Sequence, residues 1–311
     1  MKKAIVLIVV LIILVGGGYI FFWLPSHNIK VLSVVPNDAA FVMASDKPVE
    51  AWETISQSDP WEYISQSPGL ASLDSQVRNV NQFLSENDWL KLIGNNKTVI
   101  SAHKIRNRFE YLFICDIGKI STINTFNYYI ENFLSDEYQL TYRKIDETDV
   151  MEFYIKEEKS TFYLCFKDNL LITSFSPSLI EKSLKKTIDF EIRDAYLEIT
   201  DLMAYSGLIR LYVQHKYFVD YLNEYLYDKD LFDFISENLL FTGLAFDIED
   251  VNLALSGYTN ISDTANPYLE ALSKSGMGGH DFLEILPENS PYFMSLGFSN
   301  MSEFVANLEA G

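Results

Sequence analysis

The side chains best suited to chemistry in this chain are four histidines and two cysteines, and their spacing serves chemistry poorly. His27, His103, His215 and His280 stand far apart, with no HxH, HxxxH or CxxC pattern. A zinc set therefore lacks its usual spacing. Cys115 sits in FEYLFICDIG and Cys165 in STFYLCFKD, both apolar, strand-like runs. In an oxidising compartment the pair could bridge; two separate buried thiols, packed as small hydrophobes, are the other reading. No GxSxG elbow is present, and neither cysteine has a protease-like flank. The glycines of SGMGGHD, from Ser275, follow a predicted helix and precede a predicted strand. A phosphate cradle needs the reverse order, a strand and then a helix N-terminus, so these glycines read as a helix cap and connector. DIEDVN, Asp247 to Asn252, spaces its acids like a calcium loop but lacks the glycine and the closing glutamate, and reads as a solvated turn between strands. No cofactor and no metal are expected, and the chain reads as non-enzymatic.

Charge narrows the partners. The 311 residues carry 43 acidic against 24 basic side chains, a formal net charge of −19. Nucleic-acid affinity comes largely from Lys and Arg neutralising phosphates, so this surface repels a polyanion. It also disfavours lying flat on an anionic membrane.

Such weak chemical signals direct attention to what positions the chain. MKKAIVLIVVLIILVGGGYIFFWLP holds the strongest one. Ala4 to Leu24 contains no charge; at about 1.5 Å per residue, a helix of that length matches the hydrocarbon core. Tyr19, Phe22 and Trp23 suit the far interface, and Lys2 and Lys3 hold the near end in the cytoplasm. A cleaved signal peptide would have a shorter apolar region and a small-x-small cut site after it. The expectation is an uncleaved anchor over 1–25, inserted by residues 4–24. The protein would cross the inner membrane once, with its N-terminus cytoplasmic and its bulk periplasmic.

Beyond a linker, 26–33, the pattern is α+β. DAAFVMAS, Asp38 to Ser45, predicts a strand, and Lys47-Pro48 opens a helix with Val49, Trp52 and Ile55 on one face. DPWEYIS predicts a short helix capped by Asp59, and LASLDSQVRNVNQFLSEN a longer one. KTVISAHKI and FEYLFICDI alternate on a two-residue beat around Arg106-Asn107-Arg108, a hairpin. A helix over 122–134, four strands between 139 and 174, and a helix capped by Ser176-Pro177 follow. LIRLYVQ, two helices (HKYFVDYLNEYL and DLFDFISEN), the hairpin LLFTGLAFDI/VNLALSGYT and the helix of ISDTANPYLEALSKS then replay part of that order. The stripe Tyr217, Tyr221, Tyr225 reads as core packing, with docking the alternative.

Two further phrases match. VVPNDAAFVMA, from Val34, and ILPENSPYFMS, from Ile285, share their proline and their methionine, and most other positions agree in residue class. The reading is an N-terminal transmembrane helix followed by repeated modules of antiparallel sheet packed with helices. The modules run over 34–200 and 201–282, with a further repeat begun at 283–311 and expected to be truncated.

The anchor, the Pro-led first strand, NKTVISAHKIRNRFEYLFICDIGKI and FYLCFKDNLLITSFSPSLIEKSLKK together resemble the uncharacterised single-anchor exported proteins of Bacteroidota. The resemblance covers Val31 to Lys186 and implies an envelope location, commonly in a longer chain. It carries over no activity and no functional residues. Asp263-Thr264-Ala265 likewise resembles the short O-glycosylation acceptor of that phylum, which makes Thr264 a candidate modified residue. The functional expectation is an interaction or scaffold component of an envelope assembly, with envelope proteins as partners. A lipid or apolar-ligand module and a hydrolase built from distant residues are the alternatives.

Overall fold

The computed structural model describes residues 29–65, 96–118, 139–156, 159–185, 198–203, 207–223, 229–249, 252–276, 278 and 295–310. The anchor stretch 4–24 and the predicted helix 122–134 lie outside them, as do His27, His280 and the strand expected at 285–295 up to Met294. Among the described residues no helix is long and apolar enough to cross a membrane.

The protein is α+β, and its frame is one large antiparallel sheet. Ten strands lie in the order β10-β9-β8-β1-β2-β3-β7-β6-β5-β4. They are β1 (Ala39–Ser45), β2 (Thr98–Ile105), β3 (Arg108–Asp116), β4 (Gln139–Ile145), β5 (Thr148–Ile155), β6 (Ser160–Lys167), β7 (Leu170–Ser174), β8 (Ile209–Gln214), β9 (Leu239–Glu249) and β10 (Asn252–Ile261). Alternating sequences such as TVISAHKI specify them, because successive side chains point to opposite faces. Three two-residue loops close β2–β3, β4–β5 and β6–β7. Their first residues, Arg106, Asp146 and Asp168, take φ of 60°, 51° and 52°, the left-handed backbone that lets a tight hairpin follow the strand twist.

The segments assigned to the first and second modules meet inside this sheet. β8 pairs antiparallel with β1, Phe41 opposite Val213 and Ala44 opposite Arg210. From β1 the sheet continues outward through the hairpin β2–β3, and from β8 through β9–β10.

The helices are α1 (Pro48–Ser56), α2 (Asp59–Ser65), α3 (Pro177–Leu184), α4 (His215–Leu222), α5 (Lys229–Asn238), α6 (Pro267–Lys274) and α7 (Met301–Ala310). Pro opens α1, α3 and α6, where its missing N–H costs nothing. Two expected caps differ. Ser58, not Asp59, accepts from the Trp61 N–H at the start of α2. The Ser176 side chain makes no cap bond on α3; its own N–H instead donates to Ser174 Oγ at 3.0 Å.

One sheet face carries the main core. Val42, Val99, Leu112, Ile114, Cys165 and Ile172 line it, and Leu179 and Ile180 of α3 cover it together with Val31 and Val34 of a 3-10 turn. Each fully buried aliphatic side chain contributes about 1.5–3 kcal/mol. Residues 29–33, the second part of the stretch expected to be a linker, are thus packed on the sheet together with Val34. Asn169 in the β6–β7 loop fastens them, accepting from the Ile29 N–H at 2.7 Å and donating to the Ile29 carbonyl and to Asp116. The opposite face holds a smaller cluster of Cys115, Met151, Phe153 and Leu164, and α4 packs there across β1.

Candidate functional site

Three groups of side chains could carry a function, and the structure separates them sharply by access. The first is a polar cluster inside the main core. Ser101 and His103 alternate with Val99 along β2 and so share its core face. Asp38 stands just ahead of β1, after the Pro36-Asn37 turn. His103 Nδ1 lies 3.0 Å from Asp38 Oδ1 and Nε2 lies 2.9 Å from Ser101 Oγ. Lys182 of α3 donates to the other Asp38 oxygen at 2.5 Å. Burial works against ionising Asp38. Hydrogen bonds from His103 and Lys182, and their charges, outweigh it and hold the carboxyl well below the usual range.

The connectivity is that of a Ser-His-Asp relay, but the access is not. Ser101 and His103 have no exposed surface at all, and α3 closes over them, with Ser183 Oγ donating to the Val34 carbonyl at 2.8 Å. A nucleophile must reach a substrate arriving from solvent. This group instead ties β1, β2, α3 and the entering chain together, with every buried polar atom partnered.

A second pair of polar groups sits at β8. Buried Arg210 reaches Asp46 at 2.8 Å, and Lys97 approaches the same carboxylate at 3.3 Å. Asp46 is lowered accordingly: burial opposes ionisation, and Arg210 ahead of Lys97 overcomes it. One turn further, at the β8–α4 joint, His215 Nε2 meets Thr242 Oγ1 at 2.7 Å, and Thr242 meets Thr259 at 2.8 Å. His215 Nδ1 is buried and has no hydrogen-bond partner among the described residues. Burial pushes this imidazole down to about 4, so it is neutral near pH 7.

The third group is apolar and open. β9 and β10 outrun β8, and among the described residues β10 is the outermost strand on its side. Leu253, Leu255 and Tyr258 of β10 are 37, 64 and 50% exposed. NLALSGYTNI contains no charged residue over its ten positions. The strand at the opposite edge, β4, carries Arg143 and Lys144, with Arg143 paired to Glu152 at 2.7 Å. Proteins commonly guard edge strands with such charges; β10 has none. Gly257 is fixed here by contact, since a Cβ would lie 1.9 Å from the Gly243 carbonyl oxygen.

The residues singled out in sequence fall as follows. Cys115 and Cys165 are both free and buried. They lie on β3 and β6 with β7 between, Cys115 opposite Leu171 and Cys165 opposite Ile172. Adjacent residues of β7 point to opposite faces, so the two thiols do too, and the bridge considered for them does not form. Burial pushes the Cys165 thiol up to about 12, which leaves it unreactive. Thr264 is exposed in the loop after β10, 3.0 Å from Ser262 Oγ. Tyr221, the middle of the tyrosine stripe, is packed edge-on against Phe41 and Phe109, ring centres 5.2 and 4.9 Å apart, which makes it packing; Tyr225 lies outside the described residues. Among the described residues no three His, Cys, Asp or Glu side chains gather into a metal site. Neither the Asp38 cluster nor the bare strand was anticipated. The signals were present: Val99, Ser101 and His103 share one parity, and VNLALSGYTN lacks any charge.

No family model matches the chain, and no curated protein matches it significantly. Among solved structures it is similar to three crystal forms of a protein named TP0453. Crystal form III has 11% identity and a TM-score of 0.40, covering 77% of this chain and 82% of that one. Form I has 11% and 0.39, covering 78% and 82%. Form IV has 10% and 0.38, covering 71% and 76%.

Proposed function

We propose that this protein is a single-pass, membrane-anchored component of the bacterial envelope that works by binding other proteins. Residues 4–24 would hold it in the inner membrane, with the sheet on the periplasmic side. One observation carries the binding reading: a ten-residue edge strand, uncharged and exposed in an otherwise acidic chain, with Asp247 near one end of its hairpin and Asp263 beyond the other. Flat apolar surface bordered by acids suits a protein partner.

Repeated modules support the same reading. β1, α1, α2 and the hairpin β2–β3 have the order of β8, α4, α5 and β9–β10. Lys47 and Lys216 each stand two residues past their strand, and Trp52 and Tyr221 seven. The two units meet as antiparallel neighbours, an arrangement that one two-fold axis between β1 and β8 would produce. The third segment, 283–311, ends in α7, where a helix was expected.

The alternatives find less support. A hydrolase would need a reachable nucleophile, and Ser101 is sealed. An apolar-ligand module would need space, whereas Phe41, Phe109, Phe218 and Tyr221 fill the layer between α4 and the sheet with rings 4.9–6.4 Å apart. The test is chemical crosslinking of the full-length protein in its native envelope, read by mass spectrometry. Stoichiometric partners crosslinked through residues 239–261 are expected. Recovery of the protein with only abundant background proteins would sink the reading.

A further inference from the structure

The binding reading leaves open what lies along β10, and this inference rests on it. In the first unit the strand in the corresponding position, β3, is not bare. β7 pairs antiparallel along it, from Leu112 opposite Ser174 to Asp116 opposite Leu170. The place equivalent to β7 beside β10 holds no strand among the described residues. A strand seated there must run antiparallel to match and must tolerate exposed leucines on one face. It must also approach a chain of net charge −19.

We infer that the occupant is a second copy of this chain, its β10 antiparallel to the first about a two-fold axis through Ser256. Three features of the strand fit this symmetric pairing. An axis perpendicular to the sheet makes the two strands antiparallel automatically and closes the assembly at two copies. Two equally acidic chains repel along most of their surfaces, but Asn252 to Ile261 bring no charge to the contact. The axis at Ser256 also sets large residues against small ones. Leu255 of each copy lies across from Gly257 of the other, and Tyr258 across from Ala254. Leu253 meets Thr259, and Asn252 meets Asn260. Every pair keeps its face, because this register preserves the two-residue parity. Gly257, held to glycine by the Gly243 contact, brings no side chain of its own against the Leu255 that faces it. The product is a continuous sheet across both copies, with two membrane anchors on one assembly.

The test uses the full-length protein in detergent. Light scattering at tens of micromolar is expected to give a dimer mass for the protein component. Ser256→Cys under mild oxidation is expected to give a covalent dimer, because directly opposed residues of an antiparallel pair have Cα atoms about 4.5–5.5 Å apart, within disulfide reach. Tyr142→Cys on the opposite edge is the control and should stay uncrosslinked. Cys115 and Cys165 are buried and do not compete. Leu253→Lys with Leu255→Lys replaces exposed side chains, so folding is retained by circular dichroism, and self-association should weaken at least about tenfold. A wild-type monomer at 100 μM together with no Ser256→Cys dimer overturns the inference. A monomer whose β10 amides are nonetheless protected from exchange also overturns it, and assigns the edge to this chain's own residues. If self-pairing fails but the double-lysine variant loses its crosslinked envelope partners, the binding reading survives with another protein's strand as occupant. If neither changes, both fall.

Discussion

The two units built on β1 and β8 start alike and end differently. Among the described residues each has a strand, a helix pair and a hairpin. On the β1 side the hairpin lies inside the sheet, covered by β7, and its histidine has both ring nitrogens partnered. On the β8 side the hairpin is outermost among the described strands, and the histidine at the β8–α4 joint has one ring nitrogen with no partner among the described residues. The lesson concerns polar groups and edges alike. Where neighbours surround an element, unsatisfied groups are costly and are resolved locally, as at Asp38, His103 and Ser101. An outermost strand offers its edge to something outside the fold, whereas His215 Nδ1, being buried, does not.

The contrast can be tested by breaking each side. The largest effect is expected at His103. Replacing it with Ala leaves Ser101 and Asp38 short of partners and opens a cavity in the main core, at a cost of about 3 kcal/mol in denaturant unfolding. A cost below about 1 kcal/mol would mean the cluster does not hold β1 to β2 as argued. Gly257→Val comes next. Its Cβ meets the Gly243 carbonyl oxygen, and the hairpin must distort, costing about 1–3 kcal/mol. Hydrogen exchange should show the loss confined to β9 and β10, and global acceleration would contradict it.

Acid separates the two units by window. His215 has a native value of about 4 against an ordinary 6.5, so between those values the unfolded chain takes up a proton that the native joint refuses. Stability should fall as pH drops from 6.5 toward 4, and His215→Gln should flatten that part of the profile. Asp38 is lowered too, but by its partners: burial opposes ionisation, and His103 and Lys182 overcome it. Its carboxyl is held low, so its contribution is complete above the ordinary carboxylate range and is lost only as pH falls below about 4. Asp38→Asn should therefore remove stability at neutral pH while leaving the 6.5-to-4 slope in place. A slope that survives His215→Gln unchanged would reassign the titration. The smallest effect is expected from the double lysine substitution on β10. Unfolding of the separated chain should move by less than about 0.5 kcal/mol, since Leu253 and Leu255 already face solvent. A larger change would mean that those leucines pack against this chain.

Much of the element order was legible from residue patterns. The alternation in KTVISAHKI and FEYLFICDI placed β2 and β3 within a residue or two, and the prolines placed the starts of α1 and α3. These are local effects: side-chain period, a fixed proline φ and left-handed loop residues act within a few positions of chain. Composition alone determined the acidity, and the lack of ligand spacing argued against a zinc set. Local pattern cannot reveal partners 65 residues apart, such as Asp38 and His103, or Lys182 reaching back to Asp38 across 144. Nor does it say that β8 pairs with β1, that β7 inserts beside β3, or that two cysteines in similar strands face opposite ways. Those outcomes depend on strand order and register, which are settled when the whole apolar surface is buried at once. β10 shows both sides of this division. Its uncharged, alternating residues were readable in the chain, but only the folded sheet made it the outermost of the described strands on its side.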